Sequence, residues 1–141
     1  MTAKDFDDVD KFSERIRKIS DYASERDCQL YVDAEQTYIQ AAIESYGQQM
    51  THKLNRGDKV IIMNGYQCYL KRMAKTIPME VEASKMFGFN LGIKLIRGAY
   101  MMEEREIADK KGVESPVWDD IDATHNCYNS NMEYLIRHMN N

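Results

Sequence analysis

Cysteine and histidine are scarce in this sequence, and their positions give no sign of a metal site. The three cysteines are far apart and form no CxxC pair: Cys28, Cys68 and Cys127. They are expected to be small buried hydrophobic residues of a protein from a reducing compartment, without a disulfide. The three histidines show no metal-ligand spacing with one another or with the cysteines: His52, His125 and His138. No bound metal is therefore predicted.

Long apolar runs are missing too, and so is a basic N-terminus. No run approaches the roughly 18 residues that a membrane-spanning helix needs. The first ten residues, MTAKDFDDVD, are too acidic for a secretory signal or a transit peptide. If the protein works in an organelle, we expect its targeting segment to lie outside this chain.

Acidic and basic residues alternate along most of the 141 residues, and no basic cluster stands out. The net charge is -4, and acidic and basic residues are interspersed, which argues against a nucleic-acid-binding surface. Hydrophobic residues make up 43% and charged residues 30% of the chain, a balance typical of a soluble globular protein. The length fits one domain with a single core.

Apolar periodicity divides the chain into a helix followed by three strand-helix units. Strands are predicted for three short apolar runs: CQLYVDA at 28–34, KVIIMNG at 59–65 and FNLGIKLIR at 89–97. Helices are predicted over five segments: an apolar stripe ending near 27, then 36–54, 67–88, 102–111 and 119–139. Because proline disrupts a helix interior, the third helix is expected to break near Thr76, with Pro78 starting a second piece.

Strands separated by helical crossovers predict an α/β fold with a parallel sheet. The sheet is expected to be either doubly wound or part of a (β/α)8 barrel. A complete barrel needs eight strands and about 250 residues. The three predicted strands therefore form either a small α/β domain or a piece of a barrel.

Polar side chains follow each predicted strand, at the edge where parallel α/β folds bind ligands. The three strand ends read Asp33-Ala34-Glu35, Asn64-Gly65-Tyr66-Gln67 and Lys94-Leu95-Ile96-Arg97-Gly98-Ala99-Tyr100. Lys94 lies inside an apolar run, where a buried ammonium needs an anion, a ligand or water beside it. Gly98 allows a close backbone approach or a positive φ. The sequence therefore predicts a binding site at this edge.

Several of these residues also have a purely structural interpretation, which the sequence alone leaves open. Asp33 is a suitable cap for the helix that follows it. Gln67 is compatible with the first turn of a helix, Arg97 with a solvated loop, and Tyr100 with simple packing.

Three longer motifs resemble one enzyme family. VDAEQTY at 32–38, YQCYLK at 66–71 and GIKLIRGAYMMEERE at 92–106 are similar, in this order and spacing, to the eukaryotic mitochondrial proline dehydrogenases. The resemblance implies a distorted (β/α)8 barrel that uses FAD to oxidise L-proline to Δ1-pyrroline-5-carboxylate. It also implies quinone as electron acceptor and a peripheral location at the mitochondrial inner membrane.

The same resemblance covers only the central part of the catalytic domain. Residues 1–141 resemble the third to fifth strands of that barrel, so the chain is expected to be an incomplete barrel that is inactive alone. A hydroxyproline dehydrogenase fragment is one alternative, because that relative shares this section. A non-catalytic α/β module is another.

Individual site residues follow from the resemblance as expectations. Lys94 is expected to be catalytic, as a cation that stabilises negative charge developing near flavin N5. Asp33 is the second expected catalytic residue, with the role of orienting neighbouring groups and balancing charge. Five residues are expected to bind the FAD cofactor: Ala34, Gln67, Arg97, Gly98 and Ala99. Tyr100 is expected to line the proline site.

Overall fold

The computed structural model describes residues 2–139, which contain five helices and three strands. In chain order these are α1 (Ala3–Glu25), β1 (Leu30–Val32), α2 (Thr37–Leu54), β2 (Ile62–Gln67), α3 (Met73–Phe87), β3 (Ile93–Ile96), α4 (Met101–Lys111) and α5 (Ile121–His138). The order confirms a helix followed by three strand-helix units. None of the helices within these residues has the length and apolar character needed to cross a membrane.

The three strands form one parallel sheet in the order β1-β2-β3. Leu30 pairs with Ile62 across the first ladder, and Gly65 pairs with Lys94 across the second. The predicted α/β fold with a parallel sheet is therefore confirmed.

The helices pack against one face of this sheet. Side chains of β1 and β2 on that face contact Ala23 of α1 together with Met50 and Leu54 of α2. On the same face, side chains of β2 and β3 pack with α3 and α5: Tyr66, Ile93 and Leu95 with Met73, Ile77 and Cys127.

Because side chains alternate along a strand, the intervening residues point to the opposite face. Tyr31, for example, lies on that face and is 58% exposed. A sheet with helices on one face matches the wall of a (β/α)8 barrel, whereas a doubly wound sheet carries helices on both faces.

A buried asparagine fixes the connection from α2 to β2. The side-chain Oδ1 of Asn55 accepts hydrogen bonds from the backbone N–H groups of Ile61 and Ile62, at 2.9 and 2.8 Å. Its Nδ2 donates to the carbonyls of Ile62 and Asn90, at 2.9 and 3.0 Å. Asn55 is fully buried, so this one side chain satisfies backbone groups that water does not reach.

The predicted helix break near Thr76 is wrong. Residues 67–72 end β2 and form a turn, and α3 then continues from Met73–Phe87 with Pro78 inside it. Ala74 and Pro78 both line an open cavity between α3 and α5. This space accommodates the proline ring beside the carbonyl of Ala74, whose usual N–H partner is missing.

Two other sequence expectations need correction. The apolar stripe predicted along α1 is mostly exposed, at Phe6, Val9, Phe12, Ile19 and Tyr22. Cys68 and Cys127 are buried as predicted, but Cys28 is exposed in the turn after α1. Cys68 and Cys127, although far apart in sequence, belong to one core cluster.

Candidate active site

The two predicted catalytic residues meet at the carboxyl end of the sheet. The ammonium of Lys94, on β3, forms an ion pair with the carboxylate of Asp33, which follows β1. Gly65 of the central strand is the register partner of Lys94 and has no side chain to separate the pair. A Cβ on Gly65 would lie 2.8 Å from the backbone nitrogen of Ala34. Glycine therefore also lets the end of β1 approach β2 closely.

The ion pair orients the ammonium rather than stabilising the fold. The side chains of Lys94 and Asp33 are 41% and 61% exposed, and exposed pairs contribute less than about 1 kcal/mol. The anion expected beside Lys94 is thus Asp33. The alternative in which Asp33 caps α2 is wrong, because Gln36 occupies the N-cap position.

Glu35, which was not a predicted site residue, connects two residues that were. Its carboxylate accepts a 2.5 Å hydrogen bond from the hydroxyl of Tyr100. Its backbone carbonyl accepts a 2.7 Å hydrogen bond from Nε2 of Gln67. The hydrogen bond to Glu35 raises the pKa of the Tyr100 phenol above its ordinary value. The signal for this residue was its place in the Asp-Ala-Glu strand end.

Gln67 is the last residue of β2 and not part of a helix, so its alternative interpretation is wrong. The side chain is 1% exposed. Its Oε1 has no hydrogen-bond partner among residues 2–139. A buried amide oxygen without a donor is unfavourable. The atom therefore suits a ligand that presents an N–H group.

The Arg97 side chain turns toward α5 and away from Asp33 and Lys94. Its Nε donates a 3.0 Å hydrogen bond to Nδ1 of His125. The guanidinium also lies 4.0 Å from the ring centroid of Tyr128, a cation-π contact. Arg97 is therefore an exposed loop residue, as the alternative interpretation expects, and its side chain is held by α5.

Gly98 occupies a position that only glycine fits. Its φ is 132°, and a Cβ there would lie 1.7 Å from Cδ1 of Tyr69. Two alanines are also predicted cofactor contacts. Ala34, after β1, is buried, and Ala99, next to Gly98, is exposed. All eight predicted site residues lie at, shortly before or shortly after the carboxyl end of a strand. None of them lines the cavity of about 460 Å³ between α3 and α5.

Comparison with protein families matches residues 2–141 to the family described as proline dehydrogenase. The mitochondrial proline dehydrogenase 1 of Dictyostelium discoideum is 36% identical over 138 residues, covering 96% of this chain and 24% of that protein. The human mitochondrial proline dehydrogenase 1 is 36% identical over 126 residues, covering 89% of this chain and 21% of that protein. A hydroxyproline dehydrogenase of Xenopus laevis is 31% identical over 122 residues, covering 86% of this chain and 26% of that protein.

Solved structures share the fold. Proline utilization A of Bdellovibrio bacteriovorus, inactivated by N-propargylglycine, superposes with a TM-score of 0.84 at 18% identity, over 94% of this chain and 14% of that one. A second structure, of a bifunctional proline utilization A protein, has a TM-score of 0.69 at 20% identity, over 89% of this chain and 13% of that one.

The matched region is a limited part of each relative. The chain spans about a quarter of the length of the Dictyostelium protein, and a fifth of the human one. Within that region the family match extends over residues 2–141. This chain belongs to the proline dehydrogenase family.

Proposed function

We propose that this chain forms part of the active-site wall of a barrel enzyme that oxidises L-proline to Δ1-pyrroline-5-carboxylate with FAD. One observation carries the proposal: the Asp33–Lys94 ion pair and the Gln67 amide lie together at the carboxyl ends of three parallel strands. Residues 1–141 are the central portion of an incomplete barrel in this proposal. Quinone accepts the electrons, at the mitochondrial inner membrane.

The residues at the strand ends fit a flavin. When bound, FAD supplies the two-electron acceptor for the reaction. Gln67 offers a buried Oε1 without a donor, which would accept from an N–H of the ring. Gly98 has no side chain, and this leaves room for the Tyr69 ring against the backbone just beyond β3. Ala34 and Ala99 are small neighbours along the same edge, and Arg97 keeps its positive charge nearby.

Lys94 supplies a positive charge that is in place before the reaction begins. Asp33 holds the ammonium across Gly65. A charge that is already oriented stabilises negative charge developing beside it without the cost of rearrangement. Asp33 therefore acts as a positioning residue, and Tyr100, fixed by Glu35, lines the substrate side.

A complete barrel requires strands beyond these three. The outer edges of β1 and β3 have no partner strand within residues 2–139, and the helix-free face exposes Tyr31. Activity is therefore proposed for the polypeptide in which this chain completes a barrel. Hydroxyproline is the second candidate substrate, because relatives named hydroxyproline dehydrogenase match at 30–31% identity.

The test uses the polypeptide that carries this chain in the cell. We expect a flavin absorption band in the purified protein and its bleaching when L-proline is added, with hydroxyproline tested in parallel. A correctly folded polypeptide without a flavin absorption band would favour the non-catalytic module. Faster bleaching by hydroxyproline than by proline would favour the second substrate.

A substitution at Lys94 tests the assigned role. Lys94→Met should slow proline-dependent flavin reduction by about 100-fold, the usual effect of removing one stabilising group. Lys59→Met is the matched control, because Lys59 forms a comparable exposed ion pair with Asp27, at 3.0 Å, away from the strand ends. An unchanged rate in Lys94→Met would contradict the proposed role.

A further inference from the structure

We propose that Cys68 and Cys127 form a reversible dithiol–disulfide site that small peroxides oxidise. Both cysteines are buried and belong to the same hydrophobic cluster. They come from distant parts of the chain: Cys68 directly follows β2, and Cys127 lies in α5. Both side chains pack in one cluster, so a bond between the sulfur atoms would link the sheet to α5.

The backbone around Cys68 is held firmly. Its N–H donates to the carbonyl of Ile96 at 2.8 Å. Its carbonyl accepts a 3.0 Å hydrogen bond from the indole N–H of Trp118. Cys127 lies within a regular helix and is 8% exposed, whereas Cys68 is 0% exposed. The thiols are therefore presented to each other by two ordered segments.

The two thiols are chemically unequal. The interaction with the Cys68 thiol lowers the pKa of Cys127, and the Trp118 and Asn131 side chains act in the same direction. Nδ2 of Asn131 lies 3.4 Å from Sγ of Cys127. The same interaction and burial raise the pKa of Cys68, with Arg97 as the charged group opposing that rise. Because Asn131 donates a hydrogen bond to its sulfur, Cys127 is the thiol better suited to the thiolate form.

Access to solvent also favours Cys127. It lines the open cavity of about 460 Å³ between α3 and α5, together with Trp118 and Asn131. A peroxide molecule is small enough to enter this space. Cys68 lies behind Cys127 and is not among the residues that line it. Cys127 is thus the attacking thiol and Cys68 the resolving one.

One molecule of hydrogen peroxide oxidises both thiols to the disulfide. The Cys127 thiolate attacks a peroxide oxygen, so that an S–O bond forms, the O–O bond breaks and the first water leaves after protonation. The Cys68 sulfur then attacks the Cys127 sulfur, the S–O bond breaks and a second water leaves. Two thiols lose two protons and two electrons, and hydrogen peroxide takes up both.

The pair lies next to residues of the candidate active site. Cys68 directly follows Gln67, and His125, which holds Arg97, precedes Cys127 by two positions in α5. Disulfide formation would therefore fix the end of β2 to the helix that positions Arg97. Oxidation at this site would act on the predicted cofactor-binding edge of the sheet.

Peptide mapping after oxidation tests the proposal with the chain itself. Trypsin separates the three cysteines into peptides 27–53, 60–71 and 112–137. After treatment of the Cys28→Ser variant with one equivalent of hydrogen peroxide, we expect loss of both free thiols and a disulfide joining 60–71 to 112–137. Reduction with dithiothreitol should restore both thiols.

Control variants distinguish a disulfide site that depends on the folded structure from ordinary thiol reactivity. Cys127→Ser should leave Cys68 unreactive, whereas Cys68→Ser should leave Cys127 reactive toward peroxide and without a partner. Asn131→Asp adds a negative charge beside Cys127, and should slow its reaction about tenfold at neutral pH. Equal reaction of the pair in buffer and in concentrated urea would overturn the proposal, as would oxidation of Cys127 without the cross-link.

Discussion

Glu104 of α4 caps the N-terminus of α2 by accepting two hydrogen bonds from Thr37. One comes from the backbone N–H at 2.6 Å and the other from the hydroxyl at 2.5 Å. The N-cap residue Gln36 makes no capping hydrogen bond with its own side chain. A carboxylate at a helix N-terminus also interacts favourably with the helix dipole. This contact joins the third strand-helix unit to the first, beside the candidate active site.

Replacing Glu104 should destabilise the chain. The residue is 1% exposed, and Glu104→Ala removes the partner of both the N–H and the hydroxyl of Thr37, which is partly buried. We expect the free energy of unfolding to fall by about 2–3 kcal/mol, measured by urea unfolding and circular dichroism. Glu103→Ala is the control: this exposed neighbour accepts only a 3.3 Å hydrogen bond from Gln36, so its loss should cost under about 0.5 kcal/mol. Equal effects would contradict the capping role.

Local patterns predicted the order and type of the elements. Apolar periodicity and turn residues act over a few positions, so the strand-helix alternation could be inferred from sequence. The parallel sheet and the position of Asp33 and Lys94 at one edge follow from that order. The exposed stripe of α1 could not be anticipated, because periodicity gives the apolar side of a helix but not what covers it.

Contacts between distant segments could not be predicted from the apolar periodicity of the sequence. Nothing in the sequence connects Glu35 with Tyr100, or Arg97 with His125, since each pair joins different units of the fold. The continuous α3 was missed for a similar reason. Whether Pro78 interrupts a helix depends on the space beside Ala74, which tertiary packing decides.

Gly98 is the glycine whose replacement should be most harmful. In Gly98→Ala the new Cβ would meet the Tyr69 ring at 1.7 Å, at a φ of 132° that side chains rarely adopt. We expect a loss of more than about 3 kcal/mol in the free energy of unfolding. Gly112→Ala has a positive φ but nothing within 4 Å of its Cβ, so it should cost only about 1 kcal/mol. Thermal unfolding of both variants measures the difference.

Glu80 should make stability depend on pH. Burial raises the pKa of its carboxyl above the ordinary value, against the opposing hydrogen bond from Gln48. A carboxyl with a raised folded-state pKa favours folding below its unfolded pKa, and this contribution is lost as pH rises through the folded pKa. Glu80→Gln should therefore be more stabilising near about pH 7 than near about pH 3, where the native carboxyl is also neutral.

Urea unfolding at the two pH values measures this effect. Glu82→Gln serves as the control, because Glu82 is exposed and only forms a 3.3 Å ion pair with Lys85. A pH-independent difference between Glu80→Gln and the unmodified chain would show that burial does not disfavour the charged form of Glu80.

Glu35 should control the ionisation of Tyr100. Its carboxylate accepts the phenol proton in a hydrogen bond and thereby raises the pKa of Tyr100, because ionisation would leave two negative charges facing each other. The stability that this hydrogen bond contributes is present below the unfolded pKa of tyrosine and lost as pH rises through the raised folded value. In Glu35→Gln the pKa of Tyr100 should fall toward the ordinary value of about 10.

Nuclear magnetic resonance of ring-labelled tyrosine follows this titration one residue at a time. The Tyr100 signal is identified by its absence from Tyr100→Phe. Glu133→Gln, which changes an exposed carboxyl on α5 paired with Arg137, should leave the Tyr100 titration unchanged. If Glu35→Gln also left it unchanged, Glu35 would not hold the phenol, and its role in orienting Tyr100 at the strand ends would be wrong. A fall in the pKa of Tyr100 in Glu35→Gln alone would identify Glu35 as the residue that positions it.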